Sequence, residues 1–74
     1  MKSATLTYLA QLSATRLPSF VGRMPELRKL KRLQEHGYVE ASFYPPRPCK
    51  SQFACARHLT ARGQELLEMM ERRR

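Results

Sequence analysis

The sequence predicts a small α+β domain, with helices in its first half, a two-stranded β-hairpin after them and a helix at its C-terminal end. Three observations support this prediction. Leucines recur at helical spacing between residues 6 and 33, residues 38–44 (YVEASFY) alternate apolar with polar side chains, and leucines and methionines return at helical spacing after residue 65. The length of 74 residues suits one domain, over residues 1–74.

The first helix is predicted over residues 3–14, SATLTYLAQLSA. Leu6, Leu9 and Ala10 fall on one face at helical spacing, which predicts a buried stripe. Ser3 can cap the helix, because its hydroxyl can accept a hydrogen bond from a free backbone N–H of the first turn.

A short second helix is predicted over residues 17–22. Pro18 fits the first position of a helix, where a missing N–H costs nothing, and Gly22 would end the segment. With the helices on either side, this segment would complete a three-helix core.

The third helix, over residues 25–36, has the clearest pattern. Pro25 suits a helix start, and Leu27, Leu30 and Leu33 recur every third residue as a buried stripe. Gly37 follows as the residue that most easily adopts the left-handed conformation of a helix end.

The hairpin consists of a strand over 38–44, a proline-rich basic loop over 45–51 and a return strand over 52–59. Val39, Ala41 and Phe43 share one face of the first strand. In the second strand Phe53, Cys55 and Leu59 are expected on one side, although Arg57 interrupts this alternation. A final helix is predicted over 61–72, capped by Thr60, with an apolar stripe at Leu66, Leu67 and Met70. Gly63 in its first turn costs about 1 kcal/mol relative to alanine.

The charge of the chain points to a polyanionic partner. Fourteen basic and six acidic residues give a net charge of +8, which favours nucleic acid over an acidic protein or an anionic membrane. The chain contains no aspartate, no glycine-rich phosphate loop and no interpretable nucleophile and base pair, so we expect no enzymatic activity and no cofactor. The apolar runs are too short for a membrane span, and a cytoplasmic location is expected by default.

Two passages, LRKLKRLQEHGYVE at 27–40 and HLTARGQELLE at 58–68, resemble a known family. The first resembles the recognition helix and first wing strand of bacterial winged helix-turn-helix regulators. The second is similar to the Leu-Thr-x-x-Gly-x-x-Leu-Leu passage that leaves the wing and opens the last helix in MarR-like and PadR-like regulators. The resemblance implies a winged-helix fold, double-stranded DNA as the partner and a role in transcription regulation, or in a phage or plasmid as an accessory factor.

Seven basic residues are therefore the candidate DNA contacts. A helix in the major groove needs arginine or lysine near phosphates and base edges, and a wing commonly contacts the backbone or the adjacent minor groove. An ordinary solvated face is the alternative for both groups. The candidates before and within the third helix are Arg23, Arg28, Lys29, Lys31 and Arg32, and those in the loop are Arg47 and Lys50.

Cys49, Cys55 and His58 lie within ten residues of one another, but their spacing matches no common zinc pattern. We expect free thiols and no metal, with zinc, a disulfide or a redox-sensing Cys49 as the alternatives. The aromatic residues around the hairpin are Tyr38, Phe43, Tyr44 and Phe53. We expect them to fill the small core, whereas exposed rings beside basic residues would stack on single-stranded bases. Tyr44 is the candidate for such an exposed ring.

The sequence is also compatible with other functions. Winged helices also dock proteins, so an interaction module for an acidic partner is the main alternative, and RNA binding is a third. The methionine-rich face of the last helix suits either a homodimer contact or packing onto the first helix.

Overall fold

The computed structural model describes residues 3–45, 47 and 49–73. The prediction of a small α+β domain is confirmed, since the described residues form three helices and a three-stranded antiparallel sheet. The elements in chain order are α1 (Ser3–Ala14), β1 (Ser19–Val21), α2 (Met24–Glu35), β2 (Val39–Tyr44), β3 (Phe53–Leu59) and α3 (Ala61–Arg72).

The local patterns place most of these elements correctly. α1 and α3 have the predicted bounds, α2 begins and ends one residue earlier than predicted, and both hairpin strands begin one residue later. Such shifts are within the usual variation of element ends.

The short helix predicted over 17–22 is wrong. Residues 19–21 form β1, which pairs antiparallel with β3 through Ser19↔Ala56, Phe20↔Cys55 and Val21↔Ala54. Phe20 and Val21 both favour strands, and the free edge of β3 supplies backbone partners that a single helical turn could not match. The sheet therefore has the order β1-β3-β2, and the predicted three-helix core loses its middle helix.

β3 contains an irregularity at Arg57. Glu40 pairs with His58 while Ala41 pairs with Ala56, so Arg57 is an extra residue in the ladder with β2. This bulge shifts the alternation by one. Phe53 is exposed, whereas Leu59 packs against the core, and the expectation that Phe53, Cys55 and Leu59 share one side is wrong.

The core lies between the sheet and the α1–α2 pair. Leu9, Leu30 and Leu33 have no measurable exposure, and the small residues Ala54 and Ala56 are buried on the inner face of β3. α1 buries Thr5, Tyr8, Leu9 and Leu12. The predicted burial of Leu9 is confirmed, whereas Leu6 and Ala10 of the same predicted stripe are only half-buried.

The junction between the hairpin and α3 is fixed by Thr60. Its hydroxyl donates to the carbonyl oxygen of Gly37 at 2.6 Å and accepts from the backbone N–H of Gly63 at 3.1 Å. Its own N–H donates to the carbonyl oxygen of Tyr38 at 3.0 Å. Thr60 therefore caps α3, as predicted, and also joins it to the turn after α2. None of the helices in the described part of the chain is long and apolar enough to cross a membrane.

Candidate nucleic-acid interface

α2 turns its leucines inward and two arginines outward. Leu27, Leu30 and Leu33 are buried, while Arg28 and Arg32 are exposed. Residues four apart lie on the same helical face, so the two arginines stand one turn apart, on the side opposite the leucine stripe. Their guanidinium groups are therefore accessible to a partner that approaches α2 from outside.

The two lysines lie on the flanks of this face. The Nζ atom of Lys29 is 5.9 Å from the ring centroid of Tyr8 in α1, and that of Lys31 is 5.1 Å from the ring centroid of Phe43 in β2. At these distances each ammonium group is attracted by the aromatic ring. The lysines thus help to hold α2 between its neighbours and keep positive charge beside the arginines.

A shallow groove of about 290 Å³ runs between the start of α1 and α2. Three of the candidate contacts share it, namely Arg28, Lys29 and Arg32. Ala4 and Thr5 from the first turn of α1 form the opposite wall.

Two acidic residues limit the positive charge of α2. Glu26 lies in the first turn, where it complements the helix dipole. Glu35 is exposed in the last turn. The cationic part of α2 is therefore its middle, from Arg28 to Arg32.

β2 runs back along α2 in the opposite direction. The side-chain amide of Gln34 donates to the carbonyl oxygen of Ala41 at 2.7 Å, and Lys31 reaches Phe43 two residues further along β2. The loop that follows Tyr44 consequently lies toward the N-terminal half of α2. Arg23, which immediately precedes α2, is exposed at the same end of that helix.

The loop carries its two basic residues outward. Arg47 and Lys50 are exposed. The side-chain amide of Gln52 donates to the carbonyl oxygens of Pro45 at 3.1 Å and Arg47 at 3.3 Å, which ties the two sides of the loop together. A loop held in this way loses less entropy when it binds a partner. Pro46 and Pro48, also within the predicted loop, lie outside the described residues.

The aromatic residues divide between two environments. Tyr38 and Phe43 pack against the core as expected. The same expectation is wrong for Tyr44 and Phe53, which are exposed. Phe20 is exposed as well, and no sequence pattern predicts that it lies with them. Phe20 lies in the segment that the sequence predicts as a short helix, and alternation over only three residues is too short a signal to identify a strand.

Cys49 and Cys55 are free thiols, and each is half-buried. Cys49 lies in the loop, with its Sγ atom 3.6 Å from the Oγ atom of Ser51, and Cys55 lies within β3. Within the described ranges, no three histidine, cysteine or acidic side chains gather where they could hold a metal ion.

Comparisons with known proteins identify no relative of this chain. No protein-family model matches the chain, and neither the curated proteins nor the solved structures give a significant match. The likeness to winged-helix regulators therefore depends on the passages at 27–40 and 58–68, and functional interpretation depends on the surfaces described above.

Proposed function

We propose that this protein binds double-stranded DNA, as a small transcriptional regulator or as a phage- or plasmid-type accessory factor. The observation that carries the proposal is the pair Arg28 and Arg32, exposed one turn apart on the outer face of α2. Lys29 and Lys31 extend the positive charge to both flanks of that face. A net charge of +8 supports the same class of partner.

The dimensions of α2 suit the major groove of DNA. A helix of 12 residues is about 18 Å long and, with side chains, about 10–12 Å across, close to the roughly 12 Å width of the groove. Arginine can donate to both acceptors of a guanine, and arginines and lysines at the groove edges can contact phosphates. In this arrangement the loop at 45–51 reaches the DNA beside α2, because β2 returns along that helix.

The proposed architecture is a winged helix that lacks one helix. α2 takes the role of the recognition helix, and β2, β3 and their loop form the wing. β1 occupies the place in the chain where the sequence predicts the first helix of a helix-turn-helix pair. The support that this helix would give to α2 comes instead from α1, through Lys29 and Tyr8, and from β2, through Gln34 and Ala41.

The proposal includes a homodimer through α3. Two grooves, of about 460 and 250 Å³, lie between α1 and α3, and both are lined by Met70. Met69 also lines the smaller groove and is 51% exposed. α3 also carries Glu65, Glu68 and Glu71, half of the acidic residues of the chain, which offset Arg62 and Arg72 on the same helix. This helix therefore adds little to the positive charge by which two copies of the protein would repel each other. Two-fold pairing would set DNA half-sites about 34 Å apart. A cytoplasmic location, where such DNA is available, belongs to the same proposal.

The decisive measurement is the affinity for a mixed-sequence duplex as a function of salt, followed by fluorescence anisotropy. Each phosphate contact contributes about −0.9 to the slope of log K against log salt. We expect the Arg28→Ala/Arg32→Ala variant to bind more weakly, with a slope that is shallower by up to about 2. Its melting temperature should stay close to that of the parent protein, because both side chains are exposed.

A charge-matched control distinguishes the contribution of the α2 face to affinity from that of net charge. The Arg16→Ala/Arg72→Ala variant also loses two exposed positive charges, but neither residue lies in α2 or in the loop. Arg72 belongs to α3, but neither it nor Arg16 lines the two grooves of the proposed dimer contact. It should retain most of the duplex affinity. Equal losses in the two variants would show that α2 is not the interface. Binding to polyglutamate but not to duplex DNA would favour the alternative function, an interaction module for an acidic protein.

A further inference from the structure

The outer face of the sheet is not part of the proposed duplex interface, and it carries exposed aromatic side chains. α1 and α2 cover the inner face, where Val21, Ala54 and Ala56 are buried. Phe20, Tyr44 and Phe53 lie on the opposite face, and no helix of the described residues covers them. Phe20 is 76% exposed, Phe53 45% and Tyr44 43%.

These three rings form a continuous row, with one ring from each strand. The ring centroids of Tyr44 and Phe53 are 5.5 Å apart, and those of Phe53 and Phe20 are 6.4 Å apart. The planes within the two pairs are tilted by 30° and 53°. The strand register keeps the row in place, because Tyr44 is paired with Phe53 and Phe20 is paired with Cys55, two residues further along β3.

In an ordinary half-buried strand the large apolar side chains face the core, but β3 has the opposite arrangement. Alanines at positions 54 and 56 face the core, while Phe53 faces solvent. Contact between neighbouring rings stabilises a sheet, and this partly explains why Tyr44 and Phe53 lie against each other. It does not account for Phe20, which remains mostly exposed on the edge strand and gains little from burial. Contiguous exposed apolar side chains of this kind are typical of surfaces that bind a partner.

Positive charge lies near the row. Arg47 follows Tyr44 by three residues, Lys50 precedes Phe53 by three, and both are exposed. The Gln52 side chain holds the loop that carries them, through the carbonyl oxygens of Pro45 and Arg47. Arg57, exposed in the bulge of β3, adds a third cation to the strand in which Phe53 lies.

We propose that this aromatic row is a second nucleic-acid site, which binds single-stranded DNA by stacking unpaired bases on Phe20, Phe53 and Tyr44. Every base has a π-face, so a row of rings binds bases with little sequence preference, while arginine and lysine follow the phosphates. Paired bases are stacked within the duplex and offer no such face. The site therefore lies on a different face from α2 and shares only the loop residues Arg47 and Lys50 with the proposed duplex interface.

The choice of DNA over RNA and over protein follows from the same surface. The row consists of ring faces, which contact bases. The exposed cations Arg47, Lys50 and Arg57 each lie within four residues of Tyr44 or Phe53 in the chain, where they can contact phosphates. Recognition of RNA uses donors and acceptors for the 2′-hydroxyl group, and the three rings supply only the phenol of Tyr44. An apolar protein partner would gain nothing from Arg47 and Lys50 beside the row, whereas a polyanion with exposed π-faces matches both features.

The test uses the full chain and a labelled oligodeoxyuridylate of about twelve nucleotides, which is within the range that single-strand platforms cover. We expect Phe20→Ala and Phe53→Ala each to weaken binding roughly tenfold, since the loss of one stacked base commonly has an effect of this size. Phe20→Leu is the matched control, because it keeps apolar surface but removes the ring. It should be nearly as weak as Phe20→Ala, and Tyr44→Phe should bind like the parent protein.

Several results would overturn the proposal: no binding of the oligonucleotide by the parent protein, unchanged binding by the alanine variants, or full binding by Phe20→Leu. Tighter binding of oligouridylate of the same length would show that the site binds single-stranded RNA in preference to DNA. The Arg28→Ala/Arg32→Ala variant distinguishes the two proposals. It should lose affinity for duplex DNA and retain most of its affinity for the single strand, whereas Phe20→Ala should show the opposite pattern.

Discussion

Gly63 lies so close to the carbonyl oxygen of Tyr38 that a Cβ atom at residue 63 would overlap it. This contact joins the first turn of α3 to the turn that follows α2. Thr60 strengthens the same junction through its hydrogen bonds to Gly37 and Gly63. The two passages that resemble winged-helix regulators therefore meet in space, and the Thr-x-x-Gly spacing has a structural role here.

Gly63→Ala should destabilise the protein by about 1–3 kcal/mol, the usual cost of overpacking, although alanine is the better helix former. The clash is with backbone, which cannot rotate away as a flexible side chain can. Gly22→Ala is the matched control, because a Cβ atom there would meet nothing within 4 Å. Urea unfolding followed by circular dichroism measures both. Equal stability of the two variants would show that the junction is looser than described.

Thr60→Val should cost about 1–3 kcal/mol, because it leaves the Gly63 N–H and the Gly37 carbonyl oxygen without their partner at nearly constant side-chain volume. Thr60→Ser keeps the hydroxyl and should lose much less. The two free energies of unfolding provide the comparison. If serine were as damaging as valine, the methyl group of Thr60 and not its hydroxyl would hold the junction.

Leu30→Ala should lower the free energy of unfolding by about 2–5 kcal/mol, enough to unfold a marginal domain of this size. Leu30 of α2 is fully buried in the core between the helices and the sheet, so its truncation leaves a cavity. Met69→Ala, at an exposed position of α3, is the control and should change stability little in the monomer. An unshifted melting curve for Leu30→Ala would contradict the position of the core.

Ionisation of the Tyr8 phenol should lower the free energy of unfolding at alkaline pH. Burial, with a smaller effect from the Glu26 carboxylate, raises the pKa of Tyr8 from 10.0 to about 12. The unfolded chain then releases the phenol proton more easily than the folded chain. The contribution of Tyr8 to stability is complete below pH 10 and is lost as the pH rises toward about 12.

The measurement is the free energy of unfolding across this pH range for the parent protein and for Tyr8→Phe, which has no phenol proton. The parent curve should fall more steeply than the variant curve above pH 10, while groups common to both affect the curves equally. Parallel curves would show that Tyr8 titrates alike in the folded and unfolded chains.

The identities of α1, α2, β2 and α3 follow from the sequence, because each depends on a local pattern. The leucines at 27, 30 and 33 require a helix to share one face, and YVEASFY requires a strand. The basic residues off the leucine stripe were also predictable as an outer face, since the same periodicity that directs the leucines inward directs Arg28 and Arg32 outward.

The tertiary structure decided the features that depend on partners distant in the chain. β1 exists because the edge of β3 offers backbone hydrogen bonds to three residues that have no lasting strand structure alone. The extra residue at Arg57 reverses the face on which Leu59 lies, which no alternation rule could reveal without the pairing of β2 with β3. The row of Phe20, Phe53 and Tyr44 arises only when three strands are aligned, so residues from separate segments of the sequence become one surface.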